Sequence, residues 1–164
     1  MPQAPEFLLG EFPRTLDERH RVTLPAELAE PFANSLGQNA QCIVIKERLG
    51  CLSLWPADRW EEQLHAGVEL VRAKMRAGRL EGRAWEVQTL GRLLSTRHRT
   101  AQLAERARLV IPEGFREFLG VEPRGEVIVV GAAICVELWK PSAWFSHVET
   151  NIPEFRKLFE QLSG

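Results

Sequence analysis

The chain has 164 residues, 45% apolar and 26% charged, with 21 Lys+Arg against 22 Asp+Glu and a formal net charge of −1. These proportions exclude a disordered or fibrous chain and fit one compact domain, or two small lobes sharing a core. The longest nearly uncharged apolar run, Val127 to Val136, is too short to span a bilayer and is followed by Glu137, so no membrane partner is expected.

In chain order, the N-terminal stretch MPQAPEFLLGEF lacks the basic start and long apolar centre of a secretion signal. Three scattered cysteines do not form a disulfide framework, and a cytoplasmic protein with reduced thiols is expected. An extended segment then leads into a turn. Beyond it Val22 and Leu24 alternate with Arg21 and Thr23, the period of a half-buried strand. Pro25, a residue tolerated where helices begin, opens a short helix over Ala26–Phe32. Apolar and β-branched runs at Cys42–Lys46 and Cys51–Trp55 predict two strands separated by a turn at Gly50. Trp60, Leu64, Val68, Val71 and Met75 then recur at helical spacing, a stripe able to face a core. Gly78 and Gly82, with the like-charged pairs Arg72/Arg76 and Arg79/Arg83, predict a break in that helix.

The chain then repeats itself. Thr15–Glu30 reads TLDERHRVTLPAELAE and Gln102–Glu117 reads QLAERARLVIPEGFRE. At an offset of 87, Leu16, Glu18, Arg19, Arg21, Pro25 and Glu30 meet Leu103, Glu105, Arg106, Arg108, Pro112 and Glu117. At an offset of 84, Cys51, Leu54, Trp55 and Trp60 meet Cys135, Leu138, Trp139 and Trp144. The second copy therefore predicts a strand at Leu109–Ile111, a helix from Pro112, strands at Glu126–Val130 and Ile134–Trp139, and a helix bearing Trp144. A terminal helix over Pro153–Leu162 follows. One copy alone is too small to bury a sufficient core. The expected fold is thus α+β: a mostly antiparallel sheet or barrel built from both copies about a pseudo-two-fold axis, with peripheral helices. The expected divisions are 7–60 (first repeat), 61–95 (helical connector), 96–145 (second repeat) and 146–164 (C-terminal helix).

Each repeat carries a turn that delivers two arginines beside a strand start, Arg19/Arg21 and Arg106/Arg108. Alternation turns Arg21 and Arg108 toward solvent, where guanidinium groups on a rigid strand suit phosphate contacts and two-pronged reading of guanine. Asp17 lies close enough to orient Arg21; the matching position in the second copy is Ala104. His20, on the same turn, reads either as a DNA contact or as a solvated imidazole. The near-neutral total also hides an uneven charge distribution. Between Val71 and Arg108 ten basic residues face Glu81, Glu86 and Glu105, a net of about +7, and Arg97 and Arg99 fall in that segment. The basic segment and the arginine turns are expected to act together on double-stranded DNA. Two classes stay open on the residues: a DNA-binding regulator, or an oligomeric interaction module whose DNA binding has decayed.

The segment FLLGEFPRTLDERHRVTLPAEL resembles the N-terminal signature of the MraZ family, written FxGEY…TLDxKGRVxLPAxLR. GCLSLWPADRW and VIVVGAAICVELWKPSAW are similar to its later blocks, so the resemblance runs from Phe7 to Trp144. It implies a swapped-hairpin β fold of the AbrB/SpoVT type, duplicated within one chain. It also implies a transcriptional regulator, of the kind that represses a division and cell-wall gene cluster. Such proteins are nucleoid-associated, form ring-like homo-oligomers and bind short repeats in promoter DNA. The family's Asp-x-x-x-Arg motif falls on Asp17 and Arg21. The chain departs from the pattern at Ala104, and at His20 and Ala107, which replace the usual glycine. A positive φ at either of these two would cost on the order of 1 kcal/mol.

Enzyme chemistry finds no support. The sequence has no glycine-rich phosphate loop, no G-x-S-x-G, no H-E-x-x-H and no close Cys/His spacing for zinc, so no cofactor, metal or catalytic residue is expected. Cys42, Cys51 and Cys135 read as small buried hydrophobes, and the paired tryptophans as core.

Overall fold

The computed structural model describes residues 7–36 and 40–164; residues 1–6, part of the N-terminal stretch read above, lie outside them. The first repeat supplies β1 (Leu8–Thr15), β2 (Arg21–Thr23), α1 (Ala26–Ser35), β3 (Gln41–Arg48) and β4 (Cys51–Pro56). The connector is a helical hairpin, α2 (Ala57–Arg76) and α3 (Ala84–Thr96). The second repeat supplies β5 (His98–Ala104), β6 (Arg108–Val110), α4 (Phe115–Leu119), β7 (Glu126–Ala133) and β8 (Val136–Trp139). Then come α5 (Pro141–Asn151) and α6 (Phe155–Ser163).

All eight strands join one antiparallel sheet in the order β1-β7-β8-β4-β3-β5-β6-β2. Its edge strands, β1 and β2, are consecutive in the chain, so the sheet curls into a nearly closed barrel, the α+β body expected from the repeat. The copies interlock by exchange. β1 of the first pairs with β7 of the second, while β5 of the second pairs with β3 of the first. Matching backbone bonds repeat this relation: Leu16 donates to the Gly125 carbonyl at 2.9 Å, and Leu103 to that of Ala40 at 3.0 Å. Neither repeat holds a complete sheet alone, which is how two marginal units share one core.

Strand patterning follows from two covered faces. Val127 and Val129 of β7, Cys42 and Val44 of β3, Leu52 and Leu54 of β4, and Val136 and Leu138 of β8 fill the interior with Val22, Leu109, Leu28 and Phe32. The alternate residues also find cover. Ile128, Val130, Cys51 and Trp139 pack beneath Ala143 and Trp144 of α5, and Ile43 and Ile45 beneath Ala57 and Trp60 of α2. Strands buried on both sides read as continuous apolar runs rather than alternating ones. The cysteines are part of this packing: all three are buried, and burial pushes the Cys42 and Cys135 thiols up to about 12 and that of Cys51 higher still.

Three expectations are corrected. The second copy's helix begins at Phe115 rather than Pro112, because Gly114 adopts a left-handed φ of 84° that breaks the helical path. Strand β8 begins at Val136 rather than Ile134. Ala133 has φ 65°, Ile134 donates to the Ala132 carbonyl across a tight turn, and the Ile134 side chain is exposed. The connector stripe is covered only in part: Trp60, its ring 4.2 Å from that of His98 at the start of β5, and Leu64, Val68 and Val71 are half-buried, whereas Met75 is exposed. From Trp60 the helix runs on for 16 residues, about 24 Å. The break is where the two glycines put it, between Arg76 and Ala84, and both glycines have positive φ.

Candidate nucleic-acid interface

The two arginine turns meet at the pseudo-two-fold axis. Strands β2 and β6 pair antiparallel, with Arg21 opposite Val110, Val22 opposite Leu109 and Thr23 opposite Arg108. Val22 and Leu109 are fully buried, so Arg21, Thr23, Arg108 and Val110 share the outer face of a two-stranded ribbon. The His20 carbonyl accepts from Ile111 N–H at 3.0 Å and the Ala107 carbonyl from Leu24 N–H at 2.9 Å. These bonds flank Arg21/Val110 and Thr23/Arg108, making both the close, non-hydrogen-bonded kind of cross-strand pair. Arg21 and Arg108 stand diagonally across the ribbon, about 7–8 Å apart at the backbone.

The first turn is built on Asp17. Its Oδ1 accepts from the backbone N–H of Arg19 at 2.8 Å and of Arg21 at 2.9 Å, and its Oδ2 accepts from Arg21 Nε at 2.6 Å. One carboxylate thus fixes both the turn and the guanidinium. These bonds hold the Asp17 carboxyl at about 2, below its ordinary 3.8. The Arg21 backbone N–H contributes most, against partial removal from water, and the Arg21 guanidinium and Arg19 N–H add to it. The fold therefore favours the ionised form. Its contribution to stability is complete above about pH 4 and drains away as pH falls through 2. A carbon-detected carboxyl titration is expected to place the Asp17 midpoint near 2; a midpoint near 4 would overturn this turn geometry.

The second turn has Ala104 where the carboxylate stood, and its backbone differs accordingly. Residues Glu105–Ala107 form a single 3-10 turn in which both Arg106 (φ 62°) and Ala107 (φ 53°) are left-handed, against His20 alone (φ 57°) in the first turn. Among the described residues no carboxylate pairs with Arg108, Arg106 or Arg19. His20 and Ala107 adopt the conformation that glycine accommodates, so His20→Gly and Ala107→Gly are each expected to stabilise the fold by up to about 1 kcal/mol. In a chain of this size that corresponds to a melting-temperature rise of about 2–4 °C. A fall at both positions would contradict it.

Sequence patterning also grouped Arg97, Arg99 and the basic connector with the turns; the structure places the connector and Arg97 at the start of β5 and brings Arg99 to the segment that follows β6. Arg97 closes α3 at the start of β5, donating to the Lys46 carbonyl at 3.0 Å and to Glu47 at 3.4 Å. Arg99 donates to the Glu113 carbonyl at 3.3 Å and lies over the Phe115 ring. The hairpin bearing Arg72, Lys74, Arg76, Arg79, Arg83 and Arg92 stands off the start of β5, whereas the ribbon follows its end, about 20 Å along the strand. Charge counted along the chain could not show this, because β5 carries the chain from one site to the other.

Three residues at the ribbon escaped the sequence reading. Val110 shares its outer face with Thr23, Arg14 lines an open groove with Arg106 and Thr23, and Arg124 pairs with Glu18 of the first turn. Val110 was recoverable, since it alternates with the buried strand positions as Thr23 does. Arg14 and Arg124 are brought in by the exchanged pairing of β1 and β7 and carry no local signal. Among the described residues no helix is long and apolar enough to cross a membrane.

Comparison with known proteins agrees with this architecture. The family model described as MraZ protein matches residues 7–77 and 95–162, one segment for each repeat. A Syntrophomonas wolfei protein is 26% identical over 95% of this chain and 96% of its own length. One from Thermus thermophilus is 29% identical over 85% and 86%, and one from Deinococcus radiodurans 31% identical over 82% of each. All three are named transcriptional regulator MraZ. With both repeats matched and the exchanged-strand barrel in place, the chain belongs to the MraZ family, a family of transcriptional regulators and not of enzymes.

Proposed function

We propose that the chain is a sequence-specific regulator that binds double-stranded promoter DNA through the β2/β6 ribbon. The observation that carries this reading is the Asp17 clamp: an outward-facing arginine on a short strand, held at 2.6 Å by the same carboxylate that fixes its turn. A two-stranded ribbon fits the major groove, where a pre-oriented guanidinium reads guanine O6 and N7. Arg21 is the base-reading residue. Arg108 reaches the same groove without a clamp, and Arg19, Arg106 and His20 lie at the turns, where phosphates flank the groove. Because Arg21 and Arg108 are so close, one chain presents one reading head, and affinity must come from several chains on repeated sites. Family resemblance extends the reading to repression of division and cell-wall genes by a nucleoid-associated oligomer.

The oligomer has support of its own. On α6, Phe155, Leu158, Phe159 and Leu162 form one exposed apolar stripe, continued by Ile152 and Phe145. At roughly 100 Å² of uncovered surface each, these six approach the ~800 Å² per partner of an ordinary protein interface. The hairpin exposes a second set of apolar side chains: Leu70 and Met75 on α2, and Trp85, Leu90 and Leu93 on α3. Beside the α6 stripe Glu149, Glu154 and Glu160 outnumber Arg156 and Lys157 by one, a small negative excess opposite in sign to the hairpin's basic one. The occupant of each face is the other face on a second copy, a head-to-tail contact that closes into a ring when its rotation permits.

Salt-titrated anisotropy with the protein's own promoter duplex tests the DNA reading, and binding indifferent to salt would sink it. Ala104 and the remoteness of the basic hairpin favour a second reading, an oligomeric interaction module with decayed DNA binding. Tight, salt-dependent promoter binding rules that out.

A further inference from the structure

We propose that Val110 is a specificity-determining residue that reads the C5-methyl group of thymine at the base pair beside the one contacted by Arg21. The inference rests on the ribbon being the DNA-reading element. Of the four side chains on its outer face, Arg21, Thr23 and Arg108 can donate hydrogen bonds, and Val110 cannot. Val110 nevertheless leaves 47% of its surface in solvent, at the end of β6 and directly across from Arg21. Its neighbour Leu109 is fully buried, so the ribbon's inner side supplies the core and Val110 is not needed there.

The two copies differ informatively at this point. The position equivalent to Val110 in the first repeat is Thr23, nearly the same shape with a hydroxyl in place of a methyl. A β-branched strand residue is therefore present in both, and the second copy lacks the polar atom. In the major groove thymine C5-methyl is the one apolar feature a base edge presents, and an apolar side chain that reaches the base edges can select only that.

Geometry sets the step. Val110 and Arg21 form a close non-hydrogen-bonded pair, with Cβ atoms about 4.5–5.5 Å apart. Successive base pairs are about 3.4 Å apart. When the clamped Arg21 engages a guanine, Val110 meets the neighbouring base pair. The unclamped Arg108 lies across from Thr23, so the two ends of the ribbon differ chemically although the backbone is pseudo-symmetric.

The test is promoter-duplex anisotropy with thymine replaced throughout by deoxyuridine, which removes only the methyl groups. Wild-type protein is expected to bind the deoxyuridine duplex about fourfold more weakly per engaged ribbon, the effect of removing one buried methyl. Val110→Ala is expected to bind both duplexes equally while keeping its dependence on Arg21, which also shows that the variant is folded. Equal wild-type binding to the two duplexes, or a preference for thymine that survives in Val110→Ala, would overturn the assignment. Failure of the wild type to bind the thymine duplex would instead overturn the DNA reading itself, and this inference with it.

Discussion

Arg21→Ala is expected to weaken binding to the promoter duplex by about 1–3 kcal/mol per engaged ribbon, roughly 5- to 150-fold. The size follows from preorganisation. Asp17 fixes the turn through two backbone N–H groups and fixes the Arg21 guanidinium through a third bond, so little side-chain freedom remains to be surrendered on binding. Arg108→Ala is expected to cost less, because Arg108 has no such clamp and must be ordered by the DNA. Salt separates base reading from phosphate binding. Arg19→Ala should reduce the slope of log K against log salt by about 0.9 for each phosphate that the side chain had neutralised. Arg21→Ala should lower the whole line and leave the slope nearly unchanged. An Arg21→Ala protein with wild-type affinity would remove the basis of the proposed function.

Asp17 gives that experiment a control. Asp17→Ala keeps Arg21 but frees its guanidinium and leaves the Arg19 and Arg21 N–H groups without their acceptor. The first turn would then resemble the second, whose two left-handed residues accompany the replacement of the carboxylate by Ala104. Its DNA affinity should fall between those of the wild type and Arg21→Ala.

Much of this arrangement was legible in the amino-acid order. The 87-residue offset between Arg21 and Arg108 placed two like strands in one body, and Val22 and Leu24 showed which sides of those strands face inward. The Asp17-to-Arg21 spacing identified the clamp because its bonds are local, spanning two and four residues. What stayed hidden depends on long-range pairing. The exchange of β1 and β5 between the copies brings Arg124 to Glu18 across 106 residues, and no local pattern encodes that. The connector misled for a related reason. Periodicity marks an apolar stripe, as at Leu64, Val68 and Val71, but not what the stripe packs against, and here the helix outruns the sheet. The exposed faces on α6 and the hairpin carry the same signature as core-facing helices, so only the folded chain separates them.

Those faces support the second large effect. Leu158→Glu with Phe159→Glu on α6, and separately Trp85→Glu with Leu93→Glu on the hairpin, are each expected to yield a folded monomer by sedimentation velocity. The substituted side chains are all exposed in the single chain, so the barrel does not depend on them. Without assembly, affinity for a promoter with repeated sites should fall by about 10²–10⁴, because each ribbon then binds without its linked neighbours. Affinity for a duplex with one site should change little. Mixing the two variants distinguishes head-to-tail from face-to-face association. In a head-to-tail assembly the α6 variant still offers a hairpin and the hairpin variant still offers an α6, so the mixture forms dimers and stops there. If like faces met instead, each variant alone would retain one intact self-complementary face and remain a dimer. A wild-type protein monomeric at micromolar concentration would overturn the assembly altogether. The Arg21 reading head would then have to act singly, with an affinity set by one ribbon.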